Sequence, residues 1–168
     1  MIIECHGHYT TTPAAHQAFR DAQLARLDDP RLPEPAAADI SDDAIRESIE
    51  SNQLKLLRER GGDLMLFSPR AAGMEHHVPD PATSRVWAQA CNDLVHRVVG
   101  LYPRHFAGVC QLPQTPGGAL DDSISELRRG EPAVERGELR LPEAGELRRL
   151  GRVVPVAVDD HRSGSCST

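Results

Sequence analysis

The chain has 168 residues, 39% of them apolar and 26% charged, with a net charge of −6. That is enough for one domain with a core, and too short for a complete (β/α)8 barrel, which takes roughly 250 residues. The acidic balance argues against a general nucleic-acid partner, and no apolar run approaches the roughly 18 residues of a membrane span.

Residues 1–5 read as a short apolar strand, and residues 14–28 as a helical stretch containing Phe19 and Leu24. Pro30, Pro33 and Pro35 make the next segment a loop. Ser41 is a good N-cap, with Asp42 and Asp43 in the first turn and Ile40 and Ile45 at the positions of a hydrophobic staple. One helix is expected from there to Gly61-Gly62, turning Ile45, Ile49, Leu56 and Leu57 inward. Residues 63–67 are expected to form a second strand, apolar enough to be buried on both faces. A loop over 68–80 follows, and Asp80-Pro81 starts a third helix whose stripe runs from Val86 to Val98. Phe106 to Leu112 is expected to be a third strand, with a helix beginning at Leu120.

The order strand, helix, strand, helix, strand, helix over residues 1–129 implies an α/β fold with a parallel sheet and right-handed crossovers. Three strands leave two open edges, through which copies of the chain are expected to associate. Residues 130–168 differ in character: they lack Phe, Trp, Tyr, Ile, Met and Lys. The basic residues of the whole chain are 18 arginines and one lysine, the mark of GC-rich coding. Two readings of 130–168 stand, a flexible polar tail and an out-of-frame stretch; neither continues the domain.

His6-Gly7-His8 is the best candidate for chemistry. Alternate residues of an extended chain point the same way, so both imidazoles can enter one space. Two neutral imidazoles suit zinc or a similar divalent ion, although a catalytic zinc takes about three protein ligands plus water. Eight histidines in 168 residues give about 0.4 such pairs by chance, so the spacing alone does not decide between ligands and bystanders. The position, directly after a first strand, favours ligands, because active sites of parallel α/β barrels lie at the carboxyl ends of strands. Arg70 follows the second strand, where a guanidinium could clamp a substrate carboxylate or serve only as a surface charge. His76 and His77 share that loop, and a solvated pair is the commoner role. His16, His96 and His105 read as structural, and Cys5 and Cys91 as buried thiols. The four cysteines, Cys5, Cys91, Cys110 and Cys166, have neither metal-knuckle nor disulfide spacing. With no signal-like opening, a reducing, cytoplasmic compartment is expected.

Several separated motifs resemble one family. The opening Met1-Ile2-Ile3-Glu4-Cys5-His6-Gly7-His8-Tyr9-Thr10-Thr11 is similar to that of the 4-oxalomesaconate hydratases, which usually carry Asp where Glu4 stands. Ile40-Ser41-Asp42-Asp43, Phe67-Ser68-Pro69-Arg70, His76-His77, Cys91-Asn92, Phe106-Ala107-Gly108 and Leu112-Pro113-Gln114 extend the likeness over nearly all of residues 1–129. The family lies in the amidohydrolase superfamily, near the aminocarboxymuconate semialdehyde decarboxylases. The resemblance implies the first three β/α units of a (β/α)8 barrel and a zinc ion held partly by His6 and His8. It implies water addition to a C=C bond of an oxo-tricarboxylate from protocatechuate or gallate breakdown. A small polycarboxylate substrate would meet Arg70 and His77. A decarboxylase or hydrolase of the same superfamily and an inactive fragment are the alternatives. The remaining ligands and the acid/base residues have no recognisable counterpart here.

Overall fold

The computed structural model describes residues 1–70, 72–74, 78–116 and 120–135. Its centre is a three-stranded parallel sheet in the order β1 (Ile3–Tyr9), β2 (Leu64–Pro69), β3 (Phe106–Gly108). The crossover from β1 to β2 carries α1 (Ala14–Asp28), α2 (Asp42–Ser51) and α3 (Gln53–Glu59). The crossover from β2 to β3 carries α4 (Pro81–Leu101), and α5 (Asp121–Glu135) follows β3. The expected α/β alternation and parallel sheet are therefore present.

Local chemistry fixes the helix ends. The Ser41 hydroxyl accepts from the Ala44 amide at 3.2 Å, and Ile40 and Ile45 are buried in one cluster as the staple requires. Asp80 caps α4 by accepting from the Thr83 amide at 2.8 Å, with Pro81 in the first turn. After α3, Gly61 adopts φ +67°, the Gly61 amide reaches Arg58 O at 3.0 Å, and the Gly62 amide reaches Leu57 O at 2.8 Å. These are the two bonds of a Schellman stop, and the left-handed residue is the one without a Cβ.

The bounds of three elements differ from expectation. The helix expected from Ser41 to Gly61 is broken at Asn52, which has φ −128° and ψ −95°. The Asn52 amide side chain turns back to the Ser48 carbonyl at 2.9 Å, a local bond that competes with the helical ladder. The break rotates the face that follows, so Leu54 and Leu57 are buried and Leu56 is 45% exposed. β1 is longer than expected and contains His6, Gly7 and His8. β3 is shorter, ending at Gly108. Beyond it, Asn92 bonds the Gln111 amide and carbonyl, both at 2.8 Å, so a side chain replaces a neighbouring strand. Asn92 is itself held by Glu126 at 2.6 Å, which Arg129 grips with two bonds at 2.6 and 2.8 Å. Burial pushes the Glu126 carboxyl up, but the bonds from Arg129 and Asn92 together outweigh it and hold the group below its usual range.

One face of the sheet is covered by helices. Tyr9, Met65, Phe67 and Phe106 meet Ile45, Ile49, Leu54, Leu57, Leu94, Val95 and Val98 in a continuous core. The opposite face is open. Leu64 and Leu66 are only partly buried, so β2 is buried on one face rather than on both. Among the described residues, no second layer shields the open face from water.

A second cluster lies between α1 and α4, where His16 stacks on Trp87 with ring centroids 4.7 Å apart. His16 is structural, as expected: it is 5% exposed, and burial pushes its pKa down from 6.5 to about 4. The neutral ring is therefore the folded form. Its contribution is complete above pH 6.5 and is lost as pH falls toward 4, because the unfolded chain takes up the proton first. Stability is expected to drop by about 2–3 kcal/mol between pH 7 and pH 4.5 from this group. Urea unfolding at the two pH values checks this, and His16→Phe should flatten that part of the dependence.

The expectation for residues 130–168 meets the described chain only at its start, where α5 continues past Arg129 to Glu135. The rest of that segment, residues 136–168, lies outside the described residues.

Candidate metal centre

His6 and His8 sit near the carboxyl end of β1, on the open face, and the strand pairing explains how they got there. In β1, Glu4 pairs with Met65 and Gly7 pairs with Phe67. Three steps along β1 match two along β2, so β1 carries one extra residue, a bulge. Paired residues share a face. Strict alternation from Glu4 would have put both imidazoles on the Met65 face, under the helices. The bulge instead sends Gly7 and Tyr9 to the helices and turns His6 and His8 to the open face. Glu4 supports it by accepting from the His6 amide at 3.0 Å.

Gly7 is required where the strands meet. A Cβ there would overlap Met65 Cγ and Sδ and lie 2.9 Å from the Leu66 carbonyl. Past the bulge, Gln53 pins the end of β1, reaching Thr10 Oγ1 at 3.2 Å and accepting from Thr11 Oγ1 at 2.8 Å. Tyr9 donates to Ser48 Oγ at 2.6 Å, while that hydroxyl donates to Ile45 O at 3.0 Å. Burial pushes the Tyr9 phenol above its ordinary value, so it remains a donor.

The imidazoles converge as expected. His6 Nε2 and His8 Nε2 are 3.2 Å apart, with the rings edge to face. Two nitrogens bound to one tetrahedral zinc at ~2.0–2.1 Å would be about 3.3–3.4 Å apart. The donor set and its spacing therefore fit a zinc-sized ion. Among the described residues, no group of three or more His, Cys, Asp or Glu side chains converges on one point, so these two form an incomplete set.

The other candidates separate. Arg70 is exposed, directly after β2, and lines a narrow crevice with Tyr9, His16, Trp87 and Cys91. Its loop is tied down from α1. Arg20 Nε donates to the Ala72 carbonyl at 2.8 Å, where Ala72 (φ 59°) and Gly73 (φ 73°) are both left-handed. His76 and His77 lie outside the described residues. Cys91 is buried as expected, with its sulfur 3.6 Å from His16 Nε2, but Cys5 is exposed and does not join the core. Glu4 pairs with Met65 on the helix-covered face, so alternation turns Cys5, the next residue, to the open face. Ser68 and Gln53 are absent from the sequence-based site. A polar residue at a core-facing helical position signals Gln53; only the pairing of β1 with β2 reveals Ser68.

Comparison with known proteins gives the family. The amidohydrolase family model matches residues 3–136. A 2-keto-4-carboxy-3-hexenedioate hydratase of Sphingobium sp. (strain NBRC 103272 / SYK-6) is 54% identical over 129 residues, covering 77% of this chain and 38% of its own length. The crystal structure of 4-oxalomesaconate hydratase from Rhodopseudomonas palustris superposes with a TM-score of 0.71 at 43% identity, over 81% of this chain and 40% of that one. The chain thus spans about two fifths of the length of either relative. With the family match running through all three strands and both histidines, the chain belongs to the amidohydrolase family.

Proposed function

We propose that the chain carries the first part of a metal-dependent hydratase of the 4-oxalomesaconate type, its three strands being the first three β/α units of a (β/α)8 barrel. The observation behind this reading is the pair of convergent imidazoles at the carboxyl end of β1, in a chain 54% identical to a curated hydratase over the matched segment. Barrel strands present their active groups at that end. The half-exposed Leu64 and Leu66 face the side that a closed barrel would fill.

His6 and His8 would hold the ion through Nε2, and zinc suits two imidazoles of this spacing. When bound, a divalent ion supplies positive charge that polarises a carbonyl or carboxylate and makes water more acidic. Gly7 and the bulge hold the two imidazoles on the open side. Arg70, and His77 from the same loop, would bind carboxylates of a small polycarboxylate substrate; a guanidinium can do so with two parallel bonds. Arg20 would hold the loop that presents Arg70. A chain of net charge −6 needs such local cations to receive a multiply charged anion. No helix among the described residues is long and apolar enough to cross a membrane. We assign the enzyme to the cytoplasm, as a homo-oligomer acting on a small molecule without a nucleic-acid or membrane partner.

A hybrid tests the reading. Residues 1–129 replace the matched segment of the Sphingobium relative, and the product is assayed for water addition to 4-oxalomesaconate and for decarboxylation of a carboxymuconate semialdehyde. Hydration that disappears in His6→Ala and His8→Ala is expected. Decarboxylation in its place would move the chain to the sibling chemistry.

A further inference from the structure

We propose that Ser68 is a positioning residue that holds His8 in the tautomer whose Nε2 lone pair is free for a metal ion. The proposal rests on the reading of His6 and His8 as ligands. Ser68 lies on β2 directly opposite His8 in the strand pairing. Its Oγ is 2.6 Å from His8 Nδ1 and 3.1 Å from the Gly7 carbonyl. A carbonyl only accepts, so the single hydroxyl hydrogen of Ser68 goes to Gly7. The hydroxyl oxygen is then an acceptor for His8 Nδ1–H. A second carbonyl gives the same answer, because Pro69 O lies 3.3 Å from His8 Nδ1 and can only receive a hydrogen from it. With the proton on Nδ1, Nε2 is bare, and Nε2 is the atom that faces His6 at 3.2 Å.

The same hydroxyl does two jobs through one register. Its bond to Gly7 O fixes the strand on which both histidines stand, and its bond to Nδ1 fixes the ring plane. Neither job requires Ser68 to touch a metal or a substrate. Partners of this kind, on the far nitrogen of a ligating histidine, change metal affinity by about 10–100-fold.

The test uses the 168-residue chain at a pH where imidazole is neutral. The tautomer of His8 is read from imidazole ¹⁵N shifts in the metal-free protein, and affinity is read by zinc titration. Wild type is expected to show His8 protonated at Nδ1. Ser68→Ala is expected to show mixed tautomers and at least tenfold weaker zinc binding, and Ser68→Thr, which keeps the hydroxyl, is expected to restore both. An unchanged tautomer and affinity in Ser68→Ala would overturn the proposal. So would a wild-type His8 protonated at Nε2, a measurement that needs no variant to fold. A wild-type chain that shows the Nδ1–H form but takes up no zinc overturns the metal reading, and the positioning role falls with it; the two failures are thus told apart.

Discussion

Purified as 168 residues and supplied with zinc, the chain is expected to show no measurable hydration of 4-oxalomesaconate. The reason is the number of ligands. His6 and His8 bring two nitrogens to one point, and no third described side chain of ligating type joins them. A catalytic zinc takes about three protein ligands and an open position, and the reaction also needs a positioned proton carrier. The open sheet face works in the same direction. Leu64 and Leu66 remain partly exposed and Val109 is 43% exposed. Each Å² of apolar surface left in water forgoes about 25 cal/mol, against a domain stability of only about 5–15 kcal/mol. Weak zinc binding and association through the open sheet are the expected companions of inactivity. Turnover near one per second that is lost in His6→Ala would overturn this expectation.

Replacing Gly7 with alanine is expected to damage fold and site together. The added methyl meets the Met65 side chain and, at 2.9 Å, the Leu66 carbonyl. Met65 is flexible and can withdraw, but the carbonyl is backbone of the central strand, where Leu66 pairs with Ala107 of β3, and it can move only with that strand. Overpacking of this kind costs about 1–3 kcal/mol, which in a chain of this size lowers Tm by roughly 2–12 °C. Thermal unfolding followed by circular dichroism measures the loss. Adding Met65→Ala should return only the side-chain part of it, since the clash with the carbonyl remains. Because Gly7 lies between the two histidines, zinc affinity should fall in the same variant. Gly7→Ala with wild-type Tm and wild-type zinc affinity would show that the strands yield more easily than their packing implies.

Much of the fold was legible because its signals are local. Ser41 and Asp80 cap their helices through side chains three residues from the amides they bind, and Gly61 stops α3 within a single turn. The breaks were less legible. Asn52 interrupts a pattern that reads as one helix from Ile45 to Leu57, because its back-bond to Ser48 competes with helical geometry only once Gln53 has strand β1 to hold. β3 ends early for a similar reason: beyond its end, Gln111 takes its backbone partners from Asn92, 19 residues away.

The candidate site divides along the same line. That His6 and His8 point one way is a property of the extended backbone, fixed by two-residue spacing whatever the surroundings. The sequence by itself therefore determined that the two imidazoles would lie on the same side of the strand. Which side of the sheet they occupy was decided by the bulge between Glu4 and Gly7, which exists only as a mismatch between two strands. The partner of His8 was decided there too. Ser68 is 60 residues away, and only the pairing of β1 with β2 brings its hydroxyl within 2.6 Å of Nδ1. A sequence specifies the spacing along one strand; the register between strands, set by packing against the helices, specifies what each residue meets.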